Sequence, residues 1–313
     1  MFDVTIGETR FSSLILNASG TFNPPLFASL MSLPDTLGAI VTKTVTPEPK
    51  MGNPLPRTVE LPGVGMLNSI GLQNPGLAAA LQGDLPKYAS LGVPVVLSIS
   101  AGSCAQFAAM AEAVLASEIA ERVCALELNL SCPNVEAGGV HFGSSPVWVR
   151  EVVGAVKAVW PKLIFTKLTP NVSDIVAIGG AAIEAGSTGL TAINTVLGVA
   201  IDVKRRKPAL PRVSAGYSGP GIKPIALHAI WQLHRHFPQT PIVGVGGLQS
   251  AEDVLEFLMA GASMVQVGTS CFRHPMVFTE IQQSLRAFAE AEGIVHLSQL
   301  VGCAHESASA LVK

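Results

Sequence analysis

Eight short apolar runs recur along the chain, and none alternates in the way a half-exposed strand would. They cover residues 14–18, 38–43, 93–99, 124–130, 163–168, 189–194, 241–245 and 263–267. Runs of this length, rich in Val, Ile and Leu, suit parallel strands covered on both faces. Helical stretches at 105–121, 146–160, 173–185, 223–236 and 251–259 separate most of them. Ser250-Ala251-Glu252-Asp253 and Asn171-Val172-Ser173-Asp174 supply helix-start chemistry for two of these stretches. Eight strand candidates alternating with helices predict an α/β fold of the (β/α)8 TIM-barrel type. A doubly wound sheet is the competing fold, because strand counting does not detect closure. Segments 47–65 and 198–220 contain Pro and Gly and are too long for ordinary strand-to-helix loops. They read as insertions over the C-terminal mouth, so residues 1–313 form a single expected domain.

The composition fits a large buried core, since the chain is 49% hydrophobic and only 13% charged. That excludes a disordered, solvated polymer. A net charge of -2 gives no electrostatic reason to expect nucleic acid or an anionic membrane as a partner. The basic run Lys204-Arg205-Arg206-Lys207 precedes Pro208 and reads as a solvated loop. No apolar stretch approaches the ~18 residues of a membrane span. The first residues carry an early acid and no basic region, so no secretory leader is expected. Cys104, Cys124, Cys132, Cys271 and Cys303 form no CxxC pair, which argues against a disulfide framework, zinc or an iron–sulfur site within the chain. No metal is expected, and a reducing cytoplasm is the expected location.

The residues at the end of each apolar run are more informative than the run itself. These C-terminal ends carry Asn17-Ala18-Ser19-Gly20, Lys43-Thr44, Ser98-Ile99-Ser100, Asn129-Leu130-Ser131-Cys132, Lys167, Asn194-Thr195, Gly246-Gly247 and Gly268-Thr269. In a barrel they converge on the face where active sites are built. Turn formation alone accounts for the Gly and Ser. It does not account for two lysines and several amides at strand ends.

Gly246-Gly247 and Gly268-Thr269 come directly after the last two runs, where this fold places phosphate groups. Glycines let backbone N–H groups approach an anion. A lysine at the mouth, Lys43 or Lys167, could form a Schiff base, neutralise a phosphate or stabilise an anionic ring. Solvent-directed lysine is the poorer reading for Lys167, which interrupts a buried run. Asn68, Asn129, Asn134 and Asn194 each offer donors and an acceptor, as a planar ligand with C=O and N–H groups requires. Singly each would be a turn former; together they suggest a ligand like a pyrimidine. Cys132 in Ser131-Cys132-Pro133-Asn134 reads as a nucleophile or proton acceptor on a loop, and the other cysteines as inert thiols.

These motifs resemble the class 1 dihydroorotate dehydrogenases, flavin enzymes of pyrimidine synthesis, over essentially the whole chain. The most specific are Asn68-Ser69-Ile70-Gly71-Leu72-Gln73-Asn74 and Glu127-Leu128-Asn129-Leu130-Ser131-Cys132-Pro133-Asn134. Asn17-Ala18-Ser19-Gly20, Gly52-Asn53-Pro54, Ser218-Gly219-Pro220 and the stretch from Ala260 to Thr269 add to them. The resemblance implies FMN at the mouth, with its phosphate at Gly246, Gly247, Gly268 and Thr269. Ala18, Ser19, Gly20, Lys43, Thr44 and Asn129 match other flavin contacts of the family, as do Lys167, Ile193 and Gly219. Lys167 matches the lysine beside the flavin N1 and C2 carbonyl. Lys43, Asn68, Ile70, Gly71 and Leu72 match dihydroorotate contacts, as do Asn129, Asn134, Asn194 and Thr195. Cys132 matches the base that takes a proton from C5 while hydride leaves C6 for flavin N5.

Asn134-Val135-Glu136-Ala137-Gly138-Gly139 and Gly219-Pro220-Gly221-Ile222-Lys223-Pro224 look more like class 1B than the fumarate-using class 1A. Class 1B resemblance implies a homodimer, extended to a heterotetramer by a separate subunit carrying FAD and a 2Fe–2S cluster that passes electrons to NAD. Three alternatives remain from the residues themselves: the fumarate-dependent enzyme, a Schiff-base or phosphate-binding barrel lyase or isomerase built on Lys167, and a barrel without catalysis.

Overall fold

The apolar runs become strands of one parallel sheet in the computed structural model, which describes residues 1–131 and 141–305. They are β1 (Ile15–Asn17), β2 (Ile40–Val41), β3 (Val95–Ile99), β4 (Val123–Asn129), β5 (Leu163–Leu168), β6 (Gly189–Ala192), β7 (Ile242–Val245) and β8 (Met264–Val267). Their order around the sheet is β1-β8-β7-β6-β5-β4-β3-β2. A parallel bridge from Leu16 to Ala39 joins the two ends. The sheet is therefore a closed barrel, and the doubly wound alternative is set aside. Strands β3, β5, β7 and β8 are buried at every position, which is why their sequences do not alternate.

Helices Cys104–Leu115, Pro146–Val159, Ile175–Glu184, Lys223–His236 and Ala251–Met259 fall where the sequence places them. The first is shorter than the expected 105–121, because Ser117 Oγ donates to the Val114 carbonyl at 2.6 Å and takes up a last-turn acceptor. Asp174 caps the third helix through the Ala177 N–H, and Ser250 with Asp253 forms a capping box on the fifth. A further helix, Val277–Ala291, is not among those expected. Its buried face runs Val277, Ile281, Leu285, Ala289 at four-residue spacing, an amphipathic signal present in the sequence. An antiparallel hairpin, Val4–Ile6 with Thr9–Phe11, precedes the barrel and contributes Ile6 and Phe11 to the core.

The two insertions do not form loose loops. Strands Thr58–Leu61 and Gly65–Asn68 pair with each other, and the second also pairs with Ala215–Ser218. Ala215–Ser218 in turn pairs with Val196–Gly198, giving a four-stranded antiparallel sheet. Leu67, Leu210 and Ala215 form a small core of its own. Lys204, Arg205 and Arg206 of the basic run form an exposed turn between the short strands Ile201–Asp202 and Lys207–Pro208.

The seam between β1 and β2 is the thinnest joint of the barrel. Here the Asn17 side chain completes the ladder: its Nδ2 donates to the Val41 carbonyl at 2.7 Å, and its Oδ1 accepts from the Val41 N–H at 2.9 Å. Replacing Asn17 by Leu strands both Val41 groups in a buried position. The expected loss is about 1–3 kcal/mol for each unpartnered group. Urea unfolding of Asn17→Leu against the wild type measures it, and equal stability would show that the amide does not hold the seam.

Candidate active site

The barrel mouth and the inserted sheet enclose a cavity of about 630 Å³. That volume lies within the range of small-molecule and cofactor pockets. Ala18, Ser19 and Gly20 border it after β1, Lys43 after β2, and Ile193, Asn194 and Thr195 after β6. Gly246 and Gly247 border it after β7, and Gly268 and Thr269 after β8. Lys167 enters from β5, and the inserted segments contribute Asn68, Ile70 and Gly219. Residues scattered over two hundred positions thus meet on one wall.

Four of the expected residues do not border this cavity. Thr44 and Asn129 are buried behind the wall, 3% and 7% exposed. They carry a hydrogen-bond chain that reaches the wall on both sides: Asn194 Nδ2 to Asn129 Oδ1 at 3.3 Å, Asn129 Nδ2 to Thr44 Oγ1 at 3.2 Å, and Thr44 with Ser19 at 3.3 Å. Gly71 and Leu72 lie beyond Ile70, on a loop fastened by Asn53 and Asn74. Asn53 Nδ2 donates to the Ser69 carbonyl at 3.0 Å, and Asn74 Nδ2 to the Leu72 carbonyl at 2.7 Å. Cys132 and Asn134 fall outside the described residues. Ser131, directly before them, is tied to the end of β4 by its Oγ donating to Asn129 Oδ1 at 2.7 Å.

The wall after β7 and β8 is suited to an anion. Gly247 has φ +89°, and a Cβ there would lie 2.9 Å from the Lys223 backbone nitrogen, so only glycine fits without strain. Among the described residues no backbone carbonyl accepts from the N–H groups of Gly246, Gly247, Gly268 or Thr269. Four amide donors on adjoining turns are a cradle for phosphate oxygens. Lys223, close by, is committed elsewhere: its Nζ meets Asp253 at 2.7 Å and Glu256 at 2.7 Å.

The floor is cationic. Lys167 is 8% exposed, and its Nζ lies 3.4 Å from Glu127 Oε1 and 3.4 Å from Gln266 Oε1. Lys43 opens onto the cavity, where its side chain is accessible. Partial desolvation by the cavity walls, and then the positive charge of Lys167, hold its ammonium pKa below the ordinary lysine value. Burial pushes the Cys124 thiol up to about 12 and the Cys271 thiol up to about 11, so neither is a ready nucleophile. Sequence reasoning missed the outer rim, where Glu60 of the inserted sheet pairs with Arg273 beyond β8, beside Phe272. The two charges come from distant segments, and no local pattern links them.

A volume for a mononucleotide, a neutral cradle for its phosphate and an ammonium in the floor together fit FMN. The depressed Lys43 pKa carries a consequence for the ligand-free protein. Between the folded and unfolded values the unfolded chain binds more protons, so stability rises with pH through that window. Lys43→Met removes this dependence. The variant apoprotein should be the more stable near neutral pH, with an advantage that shrinks toward about pH 10. Urea midpoints across that range decide it, and parallel curves for the two proteins would contradict it.

Comparison with known proteins identifies the family of this barrel. A family profile described as dihydroorotate dehydrogenase matches residues 1–288. A protein of Trichlorobacter lovleyi named dihydroorotate dehydrogenase B (NAD(+)), catalytic subunit, is 42% identical over 300 residues, covering 96% of this chain and 97% of its own. Proteins of the same name from Pelobacter propionicus and Geobacillus kaustophilus are 43% identical over 300 residues and 45% identical over 289 residues. They cover 96% and 92% of this chain and 97% and 90% of their own lengths. The chain belongs to the dihydroorotate dehydrogenase family.

Proposed function

We propose that this chain oxidises (S)-dihydroorotate to orotate in pyrimidine synthesis, with FMN at the barrel mouth, as the catalytic chain of a class 1B enzyme. The observation that carries the reading is the union, in one cavity, of the free amide cradle after β7 and β8, the Lys167 ammonium and the Asn-lined wall. Bound FMN supplies the two-electron acceptor for the hydride that leaves C6 of the substrate. Everything else falls to side chains. Gly246, Gly247, Gly268 and Thr269 hold the phosphate, while Ala18, Ser19, Gly20, Ile193 and Gly219 shape the wall against the flavin. Lys167 places positive charge where reduction puts negative charge.

The substrate wall is built from amides and one cation. Asn68 donates one N–H to the Gly216 carbonyl at 3.3 Å and keeps its own carbonyl oxygen for a ring N–H. Asn194 and Thr195 are held in register because the Thr195 N–H donates to Asn194 Oδ1 at 2.8 Å. Lys43 forms no ion pair among the described residues and borders the cavity, so its ammonium faces an anionic substrate there. Ile70, Gly71, Leu72 and Asn134 complete the family's substrate set, with Thr44 and Asn129 acting from behind the wall. Cys132 accepts the C5 proton.

The names of the relatives, which specify NAD(+) and a catalytic subunit, support a separate electron-transfer subunit; the class 1B resemblance gives that subunit FAD and an iron–sulfur cluster. Phe272, at the cavity rim and 56% exposed, and Val64, 48% exposed, supply apolar surface for it. Leu197, Val199, Ile201 and Val203 are 63%, 53%, 59% and 81% exposed on alternate positions of an inserted segment, a stripe that suits the homodimer. No helix of the described residues is long and apolar enough to cross a membrane. The thiols Cys124, Cys271 and Cys303 suit the reducing cytoplasm.

Anaerobic mixing of the flavin-loaded chain with dihydroorotate should bleach the flavin spectrum. Bleaching that fails with intact flavin would remove the proposed substrate. Cys132→Ser should retain flavin and orotate binding yet reduce at least about a hundred-fold more slowly, the scale of a lost general base. Reduction at the wild-type rate would take Cys132 out of the reaction. NAD reduction should require the second subunit, whereas fast turnover with fumarate alone would place the chain in class 1A.

A further inference from the structure

Glu127 takes no part in binding or proton transfer at this site, yet it is 0% exposed in the barrel interior. It lies on β4, in register with Phe165 of β5, while Lys167 stands two residues nearer the mouth, opposite Asn129. Gln266, 1% exposed, reaches across from β8 on the far side of the ring. Its Nε2 donates to Glu127 Oε2 at 2.7 Å, and its Oε1 accepts from Lys167 Nζ at 3.4 Å. The amide has only one workable orientation, because a carboxylate accepts and an ammonium donates. The three side chains form a closed loop of donors and acceptors directly beneath the cavity floor.

Such a loop is a costly way to fill a barrel. Burying a carboxylate carries a desolvation penalty, and well-packed apolar residues of similar volume do as well or better for stability. Phe165, the register partner of Glu127 on β5, is itself a buried apolar residue, so such residues fit this layer of the barrel. The arrangement does have two effects on Lys167. Two acceptors restrict a side chain that would otherwise sample many rotamers, leaving the third N–H for a ligand. A negative charge behind the ammonium also offsets part of the field it projects into the cavity.

We propose that Glu127, acting with Gln266, is a positioning residue that fixes the Lys167 ammonium at the cavity floor and tempers its charge, setting the reduction potential of the bound flavin below the value that Lys167 alone would give. This rests on the reading of Lys167 as the cation facing the flavin. The chemical sense lies in turnover: an untempered cation favours arrival of the electrons but opposes their departure. A chain that passes electrons onward needs both steps.

The experiment is spectroelectrochemical titration of the flavin-loaded protein, a measurement independent of turnover. Glu127→Gln preserves shape and removes the charge. It should raise the midpoint by at least the equivalent of a ten-fold change in the reduction equilibrium, about 30 mV for a two-electron couple. The exchanged variant Glu127→Gln/Gln266→Glu restores one carboxylate and one amide to the loop and should return most of the way to the wild-type value. If the charge-neutral variant does not fold, Glu127→Asp tests the same field, because it keeps the charge but draws it one methylene back from the Lys167 ammonium. It should raise the midpoint in the same direction by a smaller step. An unchanged or lowered midpoint in Glu127→Gln, or in Glu127→Asp where that variant replaces it, overturns the proposal. Lys167→Met separates the two readings: a midpoint it leaves unmoved sinks the placement of Lys167, while a fall with Glu127→Gln inert sinks only the role of Glu127.

Discussion

A sheet with no free edge is the constraint on which the rest of this structure depends. Once β1 through β8 close into a ring, every strand delivers its C-terminal residue to the same mouth. Closure is least secured by backbone pairing between β1 and β2, where the Asn17 amide makes the two hydrogen bonds to Val41. That joint also sets the site, because Ala18, Ser19 and Gly20 come immediately after Asn17. Ser19 Oγ then donates across the same seam to the Thr42 carbonyl at 2.8 Å, next to Lys43. A polar residue in an otherwise apolar core therefore serves the ring and the cavity wall together.

Charge at the mouth is apportioned rather than merely positive. The donors after β7 and β8 are neutral amides, and the nearby Lys223 is neutralised by Asp253 and Glu256. Lys43 and Lys167 stand at the inner part of the cavity, and after desolvation the charge of Lys167 is what lowers the Lys43 pKa. Lys167 has a carboxylate behind it, whereas among the described residues Lys43 forms no ion pair. An anionic ligand between them relieves the repulsion and gains from both charges, so the ligand-free mouth carries a cost that binding removes. The same ordering weakens the Schiff-base reading, since Lys167 Nζ is already engaged with Glu127 and Gln266.

The barrel is legible because a strand buried on both faces leaves an unmistakable apolar run; β5 spans Leu163–Leu168, as its residues predict. The lysines and glycine turns of the mouth stand out for the complementary reason, that they interrupt such runs. Helix Val277–Ala291 escapes notice although its four-residue spacing is there to be read. The inserted sheet is a different case. Gly216 pairs with Asn68 across a long intervening stretch, and strand pairing of that kind has no local signature. Thr44 and Asn129 belong with the site by motif, but only the folded chain separates residues that line a wall from residues that brace it. Glu127 sits in the most specific motif without an assigned role, since its partner Gln266 comes from the opposite side of the ring. The motif residues Cys132 and Asn134 lie outside the described residues.

A barrel mouth by itself is an open dish, and the inserted sheet turns it into a cavity. Its inner face presents Thr58, Glu60, Met66 and Ser218 to the site, while Leu67 and Ala215 pack with Leu210 on the other side. Two side-chain links fasten this roof to the segment that bears the phosphate cradle: Thr269 Oγ1 donates to Ser218 Oγ at 2.8 Å, and Arg273 pairs with Glu60. Close backbone approach matters here too, for Gly219 has φ +111° and a Cβ on it would strike the Gly65 Cα. Roof and cradle are thus built as one unit from opposite ends of the chain. Excluding water beneath such a roof strengthens every charge interaction at the floor, which is where a buried carboxylate behind a lysine has most effect.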